Sequence, residues 1–198
     1  HEIQHALQLL AEAKPVVVSM GDIAASGGYY VAAIDAPVYA SRSTLTGSIG
    51  IYAGTLAIDG LLDWIGIHRE RNERGGSSDT FSGRRWDESD RAAVYASIEA
   101  SYELFLEKVA EAREMSTDEV DAVAQGRIFS GEAALDAGLV DAIGGIAEAV
   151  AELRERAGLA ASTPIELVHV PSRPFASMPP LARELVRLTA GPRSRAPE

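Results

Sequence analysis

The chain has 198 residues, of which 46% are hydrophobic and 24% are charged, a composition typical of a globular domain and unlike that of a disordered or fibrous chain. Its 18 basic and 29 acidic residues give a net charge of −11, which repels phosphate backbones and argues against a nucleic acid partner. The absence of cysteine excludes disulfides, thiolate catalysis and cysteine-ligated metals, and no apolar run approaches the roughly 20 residues that span a bilayer.

The first part of the chain alternates between helix and strand signals. Apolar residues at helical spacing before Lys14-Pro15 predict a helix from Glu2 to Ala13. The β-branched run Val16 to Val18 predicts a strand buried on both faces of a parallel sheet. A turn of small residues then leads into a helix over Tyr29 to Ile34, and Ala36 to Ala40 predicts another strand. This order predicts an α/β domain with a mostly parallel sheet flanked by helices.

The rest of the chain is predicted to be largely helical. Residues 43–52 are expected to form a loop with an extended segment, and the acids at 87–90 begin a long helix that ends near Arg113. Val94, Ile98, Tyr102, Phe105 and Val109 form its predicted core-facing stripe. The other expected elements are helices over 59–65, 120–124 (with Ser116 or Thr117 as N-cap), 130–137, 146–157 and 181–188, strands over 67–71 and 165–170, and a polar loop over 73–83.

The clearest candidate for chemistry is Ser26, in the segment Ala24-Ala25-Ser26-Gly27-Gly28. A strand that stops at a tight turn and restarts as a helix exposes the serine of the turn at the positive end of the helix dipole, which suits a nucleophile and its oxyanion. Alanine replaces the first glycine of a strict G-x-S-x-G elbow. The residues alone therefore leave two interpretations open: a nucleophile, or an N-capping serine followed by two glycines that allow a close helix contact.

A nucleophilic serine needs a base, and the sequence offers few. A lysine kept neutral by burial is one partner for serine. The chain has only Lys14, before the strand, and Lys108, on the polar side of an acidic helix, and neither is suited to a dyad. The order of a Ser/His/Asp triad is not legible among the histidines, which are His1, His5, His68 and His169.

Five blocks of the sequence are informative together: Lys14 to Gly21, Ala24 to Tyr30, Ser43 to Gly50, Ala124 to Gly131 and Ala137 to Asp141. In this order they resemble the signal peptide peptidase A (protease IV) family. The resemblance covers roughly residues 2–158.

The resemblance implies a serine-lysine peptidase on a Clp/crotonase-type α/β fold. It assigns residues 1–158 to the peptidase domain and 159–198 to a C-terminal strand, helix and tail. The implied substrates are remnant signal peptides and other membrane-associated peptides. The implied setting is the extracytoplasmic side of the bacterial inner membrane, with a membrane anchor outside this chain and a tetramer-like ring of identical copies.

The resemblance also implies roles for individual residues. Ser26 falls on the nucleophile, Gly27 and Gly28 lie in the oxyanion vicinity, and Ser48 falls on the serine that orients the lysine amine. Short members carry their lysine in the stretch that corresponds to 75–79, where this chain has none.

Long members of the family place the lysine in an N-terminal half. The chain therefore resembles the C-terminal half of a long member without its opening strand. The Pro-Gly-Gly-like turn that supplies oxyanion donors would precede this chain, so we expect the isolated chain to be inactive.

Two other functions are compatible with the same fold: a non-catalytic oligomerisation domain, and a Clp-protease-like or crotonase-like enzyme. A Clp-type triad needs a histidine where Ser48 stands, and none lies between His5 and His68. No metal-binding motif or phosphate loop is legible, so we expect neither a metal nor a cofactor.

Overall fold

The computed structural model describes residues 1–68, 80–160 and 162–168. The chain divides into two units, His1–Ala161 and Ser162–Glu198. The elements of the first unit are α1 (Glu2–Ala13), β1 (Val18–Ser19), β2 (Ile23–Ala25), α2 (Gly27–Ala32), β3 (Val38–Ala40), β4 (Leu45–Gly47), α3 (Asp59–Trp64), α4 (Glu88–Arg113), α5 (Thr117–Val123), β5 (Ile128–Ser130), α6 (Gly131–Asp136), β6 (Ala142–Ile143) and α7 (Ile146–Arg156).

The strands form two small sheets instead of the one predicted sheet, and most of their pairings are parallel, as predicted. One sheet has the order β1-β3-β6 and is entirely parallel, with Val18 opposite Val38 and Tyr39 opposite Ala142. The other has the order β2-β4-β5, in which β2 and β4 are parallel and β5 is antiparallel to β4. Helices flank both sheets, so the α/β class is confirmed.

The long helix α4 carries much of the core and has the predicted bounds. It begins with a capping box in which Asp87 accepts the Asp90 N–H at 2.9 Å and Asp90 accepts the Asp87 N–H at 2.9 Å. It ends at Arg113, and the C-cap residue Glu114 has a left-handed backbone. Its Phe105 and Val109 are buried with residues of α2, α5 and α6. The apolar stripe thus fixes α4 against the other helices.

Helix α1 has its predicted bounds, but amide side chains help to attach it to the domain. Ile3 and Leu10 of its apolar stripe are exposed, whereas Gln4 is buried. Gln4 Nε2 donates to Ala33 O at 2.9 Å, and Gln8 Oε1 accepts the Asp35 N–H at 2.9 Å. These bonds satisfy backbone groups at and beyond the end of α2, a recognised use of side chains at helix termini.

The strand predicted over Val16 to Val18 was partly wrong. The observed strand is Val18–Ser19, and the three valines are half-buried instead of fully buried. In the β1–β3 register Val17 stands opposite Pro37, which has no N–H to donate, so the ladder begins only at Val18. The helix predicted from Tyr29 begins two residues earlier, at Gly27.

Three strands, β2, β5 and β6, were not predicted. They have two or three residues each, too few for a period of two to be visible in the sequence.

Little of the second unit is described. The strand predicted over 165–170 is wrong for residues 165–168, which lie in no strand. Alternating apolar and polar residues give a segment one apolar face, but a strand also needs a hydrogen-bonded partner strand. No strand lies within residues 162–168. Residues 169–170, the helix predicted over 181–188, residues 69–71 of the strand predicted over 67–71, and 73–79 of the predicted polar loop lie outside the described residues. The assignment of 1–158 and 159–198 stays a prediction.

An ion pair connects the end of α4 to the β1-β3-β6 sheet. Arg113 donates through two nitrogens to the two oxygens of Asp141, at 2.8 and 2.7 Å, and Asp141 Oδ2 also accepts the Val38 N–H at 2.7 Å. Burial raises the pKa of Asp141, but the bonds from Arg113 and Val38 outweigh it and hold that pKa below the usual aspartate value. The carboxylate is therefore stabilised in its charged form by the fold.

We predict that Asp141→Asn lowers the free energy of unfolding by about 1–2 kcal/mol at pH 7. Hydrogen bonds to charged groups contribute about 1.5–3 kcal/mol, and we expect less here because the Asp141 side chain is 41% exposed. The folded pKa is depressed, so this stability is present above the ordinary aspartate pKa and is lost as the pH falls through the folded value. Urea titrations at pH 7 and near pH 3 measure the loss of unfolding free energy at neutral pH and its decrease at low pH.

The matched control is Glu132→Gln, which removes the carboxylate that pairs with Arg42 at an exposed site. We expect a clearly smaller loss for this variant. Equal losses for the two variants, or a loss at Asp141 that does not shrink at low pH, would contradict the assignment.

Candidate functional site

Ser26 and Ser48 leave two adjacent parallel strands at corresponding positions. Ala25 pairs with Gly47, so the next residue of each strand is one of the two serines. The Ser26 N–H donates to Gly47 O at 2.8 Å. The carboxyl ends of parallel strands are the usual place for ligand sites in α/β sheets. The structure thus brings the two predicted site residues together at such an edge.

Ser26 has an unusual backbone, with φ 53° and ψ −118°. Such a conformation costs a residue with a Cβ about 1–3 kcal/mol of conformational free energy, and residues strained in this way cluster at functional sites. Ser26 is the N-cap residue of α2, but its side chain makes no capping hydrogen bond. A Cβ on Gly27 or Gly28 would meet nothing within 4 Å, so neither glycine marks a close helix contact. The alternative interpretation of this segment, a capping serine followed by two glycines in a close helix contact, is therefore not supported.

Ser48 also has a left-handed backbone, with φ 50°. Its N–H donates to Arg127 O at 2.7 Å. A Cβ on the preceding Gly47 would stand 2.8 Å from Phe129 Cδ2, and one on Gly50 would stand 2.9 Å from Gly126 N. The glycines of this block are thus required by close packing against residues 126–129. Within the described part of the chain, neither Ser26 Oγ nor Ser48 Oγ makes a hydrogen bond.

Both serines line one open cleft of about 990 Å³. Tyr95, Ile98, Glu99 and Tyr102 form one wall, on a single face of α4. The remaining lining residues are Gly50, Ile51, Tyr52, Gln125 and Gly126. Gly27 and Gly28 lie in the first turn of α2 and are exposed, next to the cleft and not among its lining residues. The cleft can accept an extended segment with apolar side chains beside two serine hydroxyls.

Comparison with known proteins identifies the family. The family model for "Peptidase family S49" matches residues 8–160. The chain belongs to peptidase family S49. The resemblance to signal peptide peptidase A given by the sequence blocks is thereby confirmed.

Curated relatives of this S49 chain are longer proteins. It is 38% identical over 175 residues to "Serine protease SPPA, chloroplastic" of Arabidopsis thaliana, covering 87% of this chain and 26% of that protein. It is 39% identical over 149 residues to "Protease 4" of Salmonella typhi, covering 75% and 24%. It is 33% identical over 153 residues to "Putative signal peptide peptidase SppA" of Enterococcus faecium, covering 77% and 44%. The matched segment spans less than half of each relative's length.

The cleft of this S49 chain has no proton acceptor of the expected kind. Within the described residues, neither a lysine nor a histidine lines it. Lys14 is the C-cap residue of α1, and Lys108 pairs with Glu111 beside a separate polar crevice. His1 contacts the Tyr30 hydroxyl, and His68 is exposed near Asp63. His169 lies outside the described residues.

The Tyr102 hydroxyl at the cleft does not supply a base either. Burial and a hydrogen bond to Asp121 raise the pKa of Tyr102, so its phenol stays protonated at neutral pH.

No group of three His, Asp or Glu side chains in the described residues is arranged to hold a metal ion. Nor does any described helix combine the length and hydropathy needed to cross a membrane.

Sequence reasoning missed several residues of the site. Ile98 and Tyr102 were predicted as part of the core stripe, and both also line the cleft. Tyr102 packs against the core as well, as predicted. Gln125 and Gly126 form a turn at the cleft, and both have left-handed φ values. Gly126, which follows the predicted helix 120–124, is a breaker signal that could have marked this position.

We predict that Gly50→Ala destabilises the protein by about 1–3 kcal/mol, the usual cost of forcing atoms into a packed region. The added Cβ would press on the Gly126 backbone, which cannot move away as a flexible side chain can. Thermal or urea unfolding measures the loss.

The control is Gly54→Ala, where an added Cβ meets nothing within 4 Å. We expect its change to stay within about 0.5 kcal/mol. Similar effects at the two glycines would show that the close approach of Gly50 to Gly126 does not matter for stability.

Proposed function

We propose that this chain is the serine-bearing half of a serine-lysine peptidase that degrades remnant signal peptides and other membrane-associated peptides. The observation that carries the proposal is the placement of Ser26 and Ser48 at the ends of paired parallel strands, with both hydroxyls beside one cleft. The strained Ser26 backbone at a strand-to-helix turn supports its role as the nucleophile.

The proposed reaction is acyl transfer. Ser26 Oγ attacks the carbonyl carbon of the scissile peptide bond while its proton passes to a neutral lysine amine. In this proposal the N–H groups of Gly27 and Gly28, which belong to the first turn of α2 and have no acceptor within it, face the developing oxyanion, beside donors from the Pro-Gly-Gly-like turn expected outside this chain. The leaving amine takes the proton from the lysine, and water then hydrolyses the acyl-enzyme with the same base.

The lysine is proposed to come from an N-terminal half of the complete protein. Both lysines of this chain lie away from the cleft, and the stretch 75–79 contains none. The matched segment spans 24–44% of the relatives described above, so those proteins have room for a second half. The Ser48 hydroxyl oxygen would accept a hydrogen bond from the lysine amine, and this bond would orient the lone pair of the amine nitrogen toward Ser26.

The cleft suits the proposed substrates. Ile51, Tyr52, Tyr95 and Ile98 give it an apolar lining. Signal peptides carry an apolar central segment, which such a lining favours. The Clp/crotonase-type fold and the location on the extracytoplasmic side of the bacterial inner membrane belong to the same proposal, and the sequence resemblance supports them.

We predict that a serine-reactive acylating probe labels Ser26 only when the lysine-bearing half is supplied. Without a base the hydroxyl is a weak nucleophile, and loss of the base costs on the order of 10⁴-fold or more in rate. Mass spectrometry of the labelled peptide measures the result, and Ser26→Ala is the control. Full hydrolytic activity of the complete protein with Ser26→Ala would instead support the alternative, a non-catalytic oligomerisation domain.

We predict that Ser48→Ala in the complete peptidase lowers turnover at neutral pH by about tenfold or more. The lysine is useful only as a neutral amine, so its pKa has to be depressed by about 3 units from its ordinary value, and the amine then needs an acceptor to orient it. Turnover should recover in part at higher pH, as the amine deprotonates without help. A pH–rate profile of Ser48→Ala that coincides with that of the unchanged enzyme would leave Ser48 a structural residue.

A further inference from the structure

We propose that Tyr102 and Asp121 are positioning residues that act on Ser48 through the turn Ala124 to Arg127. The proposal rests on the function proposed above for Ser48. It gives a role to a sequence block that the reaction itself does not use.

The turn is bonded to the backbone on both sides of the Ser48 side chain. The Ser48 N–H donates to Arg127 O at 2.7 Å, and the Gly126 N–H donates to Ile49 O at 2.9 Å. The close approach of Gly50 to Gly126 leaves the two segments no free space. Any displacement of the turn is therefore transmitted to the Ser48 backbone, which itself holds a left-handed φ.

The backbone of the turn is strained. Gln125 has φ 58°, followed by Gly126 with φ 74°. The left-handed region costs a residue with a Cβ roughly 1–2 kcal/mol. Gln125 is also exposed, so packing does not fix it. The Arg127 N–H closes the turn on Ala124 O at 3.2 Å, and Arg127 Nε donates to the same oxygen at 3.1 Å. Contacts from outside the turn add to these bonds and restrain the Gln125 backbone.

Tyr102 and Asp121 supply those contacts. Tyr102 Oη donates to Asp121 Oδ1 at 2.5 Å and accepts the Gln125 N–H at 3.3 Å. Gln125 Nε2 donates to Asp121 Oδ2 at 3.2 Å. The phenol thus joins the backbone of the strained residue to a carboxylate on a neighbouring helix.

Both positioning residues stand on rigid supports. Tyr102 belongs to α4, whose Phe105 and Val109 are buried, and Asp121 belongs to α5, whose Val120 is buried. The hydrogen bond from Tyr102 holds the pKa of Asp121 below its usual range, so the carboxylate is charged and a strong acceptor at neutral pH. The chain of contacts runs from the packed helices through the turn to Ser48.

The first test measures amide hydrogen exchange in the 198-residue chain and needs no catalytic activity. Tyr102→Phe keeps the ring and removes the hydroxyl. We expect the Ser48 and Gly126 amides to exchange about fivefold or more faster, while core amides of α4 are unchanged.

The matched control for exchange is Tyr39→Phe. Tyr39 Oη also donates to a carboxylate on a helix, Glu152 Oε2 of α7, at 3.3 Å. Tyr39 belongs to the β1-β3-β6 sheet, whereas Ser48 follows β4 of the other sheet. Its effect on the Ser48 and Gly126 amides should stay below about twofold. Equal effects of the two variants on these amides, or a uniform rise across the domain, would overturn the proposal.

A second pair of variants covers the case in which Tyr102→Phe does not fold. Asp121→Asn keeps an oxygen that can accept from Tyr102, whereas Asp121→Ala does not. We expect exchange at Ser48 and Gly126 to be close to that of the unchanged chain for Asp121→Asn and clearly faster for Asp121→Ala. Exchange at Ser48 and Gly126 that is as slow in both variants as in the unchanged chain would overturn the role of Asp121.

The catalytic consequence is tested in the peptidase assembled with its lysine-bearing half. Tyr102→Phe should lower kcat by about tenfold with KM within about twofold, and should add little to the loss already caused by Ser48→Ala. An unchanged kcat in an enzyme that Ser26→Ala inactivates would overturn the positioning role. Activity that survives Ser26→Ala would overturn the proposed function instead, and the exchange data alone would then decide whether the turn holds Ser48.

Discussion

The candidate site depends on the parallel pairing of β2 with β4. This pairing sets Ala25 opposite Gly47 and makes Ser26 and Ser48 neighbours, although 21 residues separate them in the sequence. A slip of one residue would turn one serine to the opposite face of the sheet. The Ser26 N–H bond to Gly47 O continues the pairing one residue beyond β2, and β5 fixes the far side of β4. Register, more than any side-chain contact, brings the two hydroxyls together.

Backbone strain is concentrated around the same cleft. Of the four non-glycine residues with positive φ in the described ranges, Ser26, Ser48 and Gln125 line the cleft, and the fourth is the C-cap residue of α4. Each strained residue has a neighbour that restrains it: Ser26 through Gly47 O, Ser48 through Arg127 O, and Gln125 through the Tyr102 hydroxyl. Strain persists only where the surrounding structure over-determines it, so the packed helices and the sheet together maintain this geometry.

The sequence predicted the parts of the fold that have long-range periodicity. Helix α4 was found with its bounds because 26 residues carry both a capping signal and an apolar stripe. Strand β2 was missed because two of its three residues, Ile-Ala-Ala, are alanines, which are depleted in strands, and the segment becomes a strand by pairing with β4. The roles of Ile98 and Tyr102 were missed for a related reason: the α4 stripe runs from the core into the cleft, and tertiary neighbours decide where one ends and the other begins.

The charge of the cleft constrains how a lysine could act there under the proposed function. Glu99 is the one carboxylate among the described lining residues, and a carboxylate near an amine favours the charged ammonium and raises its pKa. That effect opposes the depression that a general base needs. The apolar lining formed by Ile51 and Ile98 acts in the opposite direction, because it desolvates whatever enters. An amine on the Ser48 side, kept apart from Glu99 and covered by these apolar groups, would satisfy both conditions, which is why the orientation of Ser48 matters to the base as much as to the nucleophile.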